Sequence, residues 1–159
     1  MKVRGMNALG SLIAAGLVIL LLAFSGCTSI TGLSASPPQS AINSTPVEKV
    51  EVFHFHGNRQ CASCIAVGDL AERTVNARFG TELASGRLVF THVNYDLPEN
   101  AALAAKYNVT GSSLWIGVYD ANGFHREEDL HVWSLIADEN SYSAYLSGLI
   151  ARRLNGDLS

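Results

Sequence analysis

The chain has 159 residues and a formal net charge of −3. That length suits one domain with a targeting segment, and that charge is too mild for an electrostatic nucleic-acid binder. Its three cysteines are too few, and odd in number, for a small disulfide scaffold, while the apolar fraction of 48% is inflated by the N-terminus and says little about the core.

Lys2 and Arg4 precede an apolar run from about Ala8 to Phe24, which closes on Ser25, Gly26 and Cys27. This order is the pattern of a secretory signal and assigns residues 1–27 to export. Phe24-Ser25-Gly26-Cys27 resembles the lipobox of prokaryotic lipoproteins, with Phe24 standing where a leucine is usual. The resemblance implies lipidation of Cys27. An uncleaved signal anchor is the alternative, since the run is near the lower limit for crossing a bilayer. In both readings the positive residues stay inside. The remainder is expected on the extracytoplasmic face of the cell membrane, held by lipid or by the anchor. A lipidated Cys27 also leaves Cys61 and Cys64 as a pair. Residues 28–47 are rich in Ser, Thr, Pro, Gly and Ala and nearly uncharged, which predicts a flexible tether. Residues 48–156 remain for the folded domain.

Within that domain, Lys49 to His56 is β-branched and aromatic and predicts a strand. Gly57-Asn58-Arg59-Gln60 breaks it. From Cys61 to Phe79, Val67, Leu70, Ala71, Val75 and Phe79 recur at helical spacing, and Gly80 is a stop. Leu88 to Tyr95 predicts a second strand, and Pro98 opens a short helix that ends at Tyr107. Ser113 to Tyr119 predicts a third strand, closed by the hairpin chemistry of Asp120-Ala121-Asn122-Gly123. A fourth strand begins near Phe124 and reaches at most Val132, its polar Glu127-Glu128-Asp129 leaving the length open. A last helix spans Glu139 to Leu154, with Tyr142, Tyr145, Leu146, Leu149 and Ile150 on one face. Arg152 and Arg153 close that helix where they complement its dipole. The order is β-α-β-α-β-β-α, which predicts an α/β fold: a sheet covered by helices.

Cys61-Ala62-Ser63-Cys64 follows a strand and a loop and opens a helix. Unpaired backbone N–H groups and the positive helix end stabilise a thiolate at the first cysteine. The second lies one helical turn on, within reach of a mixed disulfide. Arg59 either adds positive charge there or is simply solvated.

Strand, Cys-x-x-Cys and helix in this frame resemble the thioredoxin-like superfamily, over the whole domain from about Val47 to Leu154. The resemblance implies a central mixed sheet flanked by helices, and thiol–disulfide exchange with a protein dithiol or disulfide partner. Cys61 is then the attacking thiol and Cys64 the buried resolving thiol. Gln60 and Ala62-Ser63 depart from the family's Trp-Cys-Gly-Pro-Cys. The family's cis-proline aligns with Ser113, so the implied substrate-docking loop of Gly111, Ser112 and Ser113 lacks its proline ring. A non-proline cis bond costs about 3 kcal/mol, which favours a trans bond or an altered loop.

His54 and His56 alternate with Phe53 and Phe55 and share one face of the first strand. By the resemblance His54 takes the place of the family's buried acid, which exchanges a proton with the resolving cysteine; an imidazole suits that near neutral pH. A hydrogen-bonded structural histidine is the other reading. His92, His125 and His131 are taken as structural or exposed, and Trp115 and Trp133 as packing residues. His54, His56, Cys61 and Cys64 also form a candidate zinc or copper ligand set, although strand histidines need not converge on a helix start. Three functions are therefore carried forward: a monomeric thiol–disulfide oxidoreductase needing no cofactor beyond its redox disulfide, a metal carrier, and a non-catalytic thioredoxin-fold binding module.

Overall fold

The computed structural model describes residues 46–159. The export segment, Cys27 and nearly all of the tether lie outside the described residues. Strand β1 (Val47–His56) is followed by helix α1 (Ala62–Arg78), a short helix α2 (Gly80–Ser85) and strand β2 (Leu88–Asn94). A single 3-10 turn at Pro98–Asn100 leads into helix α3 (Ala101–Tyr107), then strands β3 (Ser113–Asp120) and β4 (Gly123–Asp129) form a hairpin. A second 3-10 turn, His131–Ser134, precedes helix α4 (Glu139–Leu154).

The four strands make one sheet in the order β2-β1-β3-β4. β1 and β2 are parallel, so their connection must cross over one face, and α1 makes that crossing. β3 runs antiparallel to β1, and β4 antiparallel to β3. This mixed four-stranded sheet, with helices on its faces, is a thioredoxin-like α/β fold.

Alternation along β1 divides the interior in two. Val50 and Val52 face α1 and α4, where Val67, Leu70, Ala71 and Val75 meet Tyr142, Leu146, Leu149 and Ile150 in the main core. Phe53 and Phe55 face the other way and pack with Val93, Tyr107 and Trp115 in a second, aromatic cluster that α3 covers. The helical faces read from the sequence are the buried ones, and Tyr145 packs half-buried at the margin of the main core. Trp133 lies beside it.

Several boundaries differ from the sequence reading. β1 begins at Val47, two residues before Lys49, because Val47 already pairs with Asp120. Gly80 does not close the helical region. Phe79 leaves helical geometry (φ −129°, ψ 33°) and ends α1; α2 then starts at Gly80 and stops at Gly86, whose φ of 75° suits glycine. β4 stops at Asp129, and Val132 sits in the following 3-10 turn, where the Asp129 carboxylate accepts from the His131 and Val132 N–H groups. The acidic run is tolerated because β4 is an edge strand, where charge also discourages pairing with other chains. Glu127 in that run holds Arg153 through two bonds, Nε to Oε1 at 2.5 Å and Nη2 to Oε2 at 2.9 Å. Arg153 is thus a buried tie between α4 and β4 as well as a dipole partner.

One buried hydrogen bond couples the helix that carries the cysteines to the C-terminal helix: Tyr142 donates to the Val67 carbonyl at 2.7 Å. Tyr142→Phe keeps the ring and removes that bond. It is expected to cost about 1 kcal/mol, read as a lower urea midpoint with an unchanged slope.

Candidate redox site

β1 ends at His56, and the chain then turns through Gly57–Gln60 before α1 begins. This loop is tied to the segment after β2. Asn58 N donates to Asp96 Oδ2 at 2.7 Å, Asn94 Nδ2 donates to Asn58 Oδ1 at 2.8 Å, and Tyr95 N donates to His56 O at 2.9 Å. Asp96 and Tyr95 crowd Gly57 closely, since a Cβ there would lie 3.0 Å from Asp96 Oδ2. The residues in front of the cysteines are therefore held by the sheet end.

Cys61 is the N-cap of α1, in extended geometry (φ −80°, ψ 162°), and its Sγ accepts from the Cys64 N–H at 3.1 Å. No acidic residue occupies the first turn, so nothing there opposes the helix dipole. Cys61 is exposed and Cys64 is half-buried. The two are joined as a disulfide with Cα atoms 5.0 Å apart. Arg59 is exposed two positions before Cys61.

His54 lies one strand layer beneath, with its side chain on the α1 face and only 1% of its surface exposed. α1 passes directly over the imidazole at Gly68. A Cβ on Gly68 would stand 2.6 Å from His54 Cε1 and 2.9 Å from Cγ, inside any permitted contact. A mid-helix glycine costs about 1 kcal/mol relative to alanine, and here it permits that approach. His54 Nδ1 lies 3.0 Å from His92 Nδ1, because His54 and His92 are register partners across β1 and β2. His54 Nε2 is buried and has no hydrogen-bond partner among the described residues. The Cys64 backbone acts electrostatically on the ring and favours its charged form, as does Asp69. Burial, with the neighbouring His92 and His56, outweighs them and pushes the imidazole down to about 4. His54 is therefore neutral near pH 7.

His56 stacks on His54 with ring centroids 5.6 Å apart. Its Nδ1 lies 2.9 Å from the Gly57 carbonyl, which can only accept, so Nδ1 carries the proton. The two strand histidines thus share a face, as expected, but they are not gathered with the cysteines as metal ligands. Among the described residues no three His, Cys, Asp or Glu side chains converge in a way that would hold a metal, and both sulfurs are bonded to each other.

Ser113 begins β3 opposite Phe55, at the sheet end where β1 runs into the cysteine loop. Its side chain turns inward. The hydroxyl accepts from Trp115 Nε1 at 2.8 Å, donates to the Gly111 carbonyl at 3.4 Å, and is 2% exposed as a residue. Of the expected docking loop, half-buried Gly111 and Ser112 face outward more than Ser113 does. His125 and His131 stand elsewhere, against Asp120 and Tyr145 respectively. His92, read from sequence as structural or exposed, is the residue brought to the site unannounced.

No family model matches the sequence, and no curated protein matches it. Solved structures similar to this chain include three of low identity. The Trx4 domain of ERdj5 has a TM-score of 0.44 at 13% identity, over 67% of this chain and 84% of that one. A thioredoxin from Thermus thermophilus has a TM-score of 0.41 at 17% identity, over 65% of this chain and 75% of that one. The germline-specific thioredoxin Deadhead from Drosophila melanogaster has a TM-score of 0.38 at 17% identity, over 64% of this chain and 82% of that one.

The buried imidazole links folding to pH. Its folded value of about 4 lies below the ordinary 6.5, so the unfolded chain binds the proton more readily. Its contribution is complete above about pH 6.5 and is lost as pH falls towards 4, by roughly 3 kcal/mol in total. In urea titrations between pH 7 and 4, His54→Gln is expected to lose that part of the wild-type slope and keep the part due to carboxylates.

Proposed function

We propose that this protein is a thiol–disulfide oxidoreductase acting on protein disulfides, held outside the cytoplasmic membrane by its N-terminal segment. One observation carries the reading: an exposed cysteine caps the helix, with an N–H of that helix aimed at its sulfur. In the reduced protein this N–H and the helix end meet a thiolate at Cys61 and lower its pKa.

The exchange then runs in two steps. The Cys61 thiolate attacks one sulfur of a partner disulfide; a Cys61–partner bond forms and the other partner sulfur leaves as a thiolate. Cys64 next gives up its proton and attacks Cys61 Sγ, forming the Cys61–Cys64 disulfide and freeing the partner's second thiol. A donor dithiol returns two electrons to reset the pair. Because the same steps run backwards, an oxidising direction uses the same groups. Neutral His54, buried against the Cys64 backbone, is the base for the second step. Gly111 and Ser112 offer partner-facing backbone at the same sheet end.

The location rests on sequence: Lys2 and Arg4, the apolar run, and the small residues before Cys27. Attachment is through lipid on Cys27; among the described residues no helix is long and apolar enough to cross a membrane. An exporting compartment is oxidising, and the pair rests there as a disulfide until a donor reduces it.

Two experiments test the parts separately. With insulin and a dithiol donor, the wild-type chain is expected to accelerate reduction and Cys61→Ser to give only the background rate; equal rates would refute the activity. Cys64→Ser is expected to trap a mixed disulfide with the partner on non-reducing gels. For the anchor, the wild-type chain expressed in a bacterium is expected to incorporate labelled fatty acid and sediment with membranes, and Cys27→Ala to incorporate none. Label retained in Cys27→Ala would refute lipidation at that residue.

A further inference from the structure

The inner proton acceptor has an outlet. His92 lies between buried His54 and exposed Glu72: His54 Nδ1 to His92 Nδ1 is 3.0 Å, and His92 Nε2 to Glu72 Oε2 is 3.4 Å. Exposure rises along this line, from the 1% of His54 to side-chain values of 33% for His92 and 50% for Glu72. β2 is an edge strand, which is why its member of the pair reaches water.

One set of tautomers lets a proton pass along this line. In that set His92 Nε2 carries a hydrogen and the Glu72 carboxylate accepts it. His92 Nδ1 is then bare, and His54 donates to it from its own Nδ1. Neutral His54 is left with a bare Nε2, and that is the buried atom without a partner. That nitrogen is a free acceptor in the interior, on a ring that meets the Cys64 backbone.

We propose that His54, His92 and Glu72 form a proton relay that carries the Cys64 thiol proton from the interior to solvent, with His92 the positioning and transfer residue. This rests on the exchange activity above. As Cys64 attacks Cys61, its proton passes to His54 Nε2, directly or through one water. The Nδ1 proton of His54 passes to His92 Nδ1, and the Nε2 proton of His92 leaves through Glu72 to water. No imidazolium is left in the core. When a donor dithiol reduces the Cys61–Cys64 bond, Cys64 leaves as a thiolate and the three transfers run in reverse, which restores both tautomers. The relay answers a real difficulty: a base held down to about 4 cannot keep a thiol proton, and it need not when its Nδ1 proton passes on to His92. The titratable groups around His54 are His56 on its own strand, His92 on β2, and Cys64 and Asp69 on α1. The β3 neighbour, Leu114, carries no charge.

The test uses the full chain with Cys27→Ser, so that only the pair reacts, and 5,5′-dithiobis(2-nitrobenzoate) as the disulfide. Stopped-flow absorbance separates the first thiolate released, from Cys61 attack, from the second, released by Cys64. His92→Gln keeps an acceptor for His54 Nδ1 but cannot pass a proton on. It is expected to leave the first phase within two-fold, slow the second by about 10-fold or more, and flatten its pH profile. Glu72→Gln, on an exposed helix face, is expected to slow the second phase in the same direction, and it decides the matter should His92→Gln unfold. A second phase unchanged in both variants, or both phases slowed equally, would overturn the relay. No exchange at all by the parent chain would instead overturn the oxidoreductase reading.

Discussion

Helix α1 rests on the imidazole of His54, and Gly68 lets it come that close. The hydrogen bonds of Asn58 with Asn94 and Asp96 hold the loop before the cysteines, and this contact places the helix after them. It sets the height of α1 above the sheet and brings the first turn, with both cysteines, over the end of β1. Apolar packing then holds the helix there, through Val67, Leu70, Ala71 and Val75 against Val50 and Val52. Two local rules are broken at one place: a glycine in mid-helix and a buried histidine with a free nitrogen. Each carries a cost, and a single close approach accounts for both. Breaches of this kind gather at functional sites.

The opposite face of β1 shows that the fold can satisfy a buried polar group completely. Glu51 is 7% exposed, yet its carboxylate accepts from Lys49 at 2.7 Å, Tyr107 at 2.7 Å and Tyr119 at 2.8 Å. Burial alone would raise its pKa, but these three hydrogen bonds outweigh burial and hold it below the ordinary value. Tyr107 and Tyr119 are pushed up by burial and by the carboxylate they bond. This network belongs to the aromatic cluster under α3, away from the cysteines. On the cysteine side the buried polar atom is left open. One strand therefore carries a closed polar network on its structural face and an open acceptor on its chemical face.

The features legible in the sequence are those written in short stretches of chain. A strand, a breaking loop and a helix start identify Cys61 and Cys64 without knowledge of the fold, and period-2 alternation puts His54 and His56 on one face. His92 was not legible, because its role depends on register. Its partner lies 38 positions away, and a shift of one residue would turn it to the other face. Gly68 is silent in sequence for a related reason: its neighbour comes from a different element. Gly80 misled, since a glycine that ends one helix can also begin the next. Ser113 was placed correctly at the start of β3, but its inward hydroxyl depends on the indole of Trp115 two positions on. The candidate metal set draws two side chains from a strand and two from the helix start above it, and among the described residues no three such groups converge.

The cysteines occupy one helical turn and meet opposite electrostatics. Cys61 is outside, where an N–H and the helix end favour its anion and water can take its proton. Cys64 is half-buried, so its proton meets less water than that of Cys61, and an anion formed there lacks the cap that Cys61 has. A thiol in that position needs a base on the inner side, and a carboxylate would meet the need at the expense of burying a negative charge. A neutral imidazole carries no charge while it waits. Its weakness is that burial leaves it a poor holder of the proton it accepts. That weakness matters only if the imidazole is the last member of the line, and the strand pairing of His54 with His92 ensures that it is not.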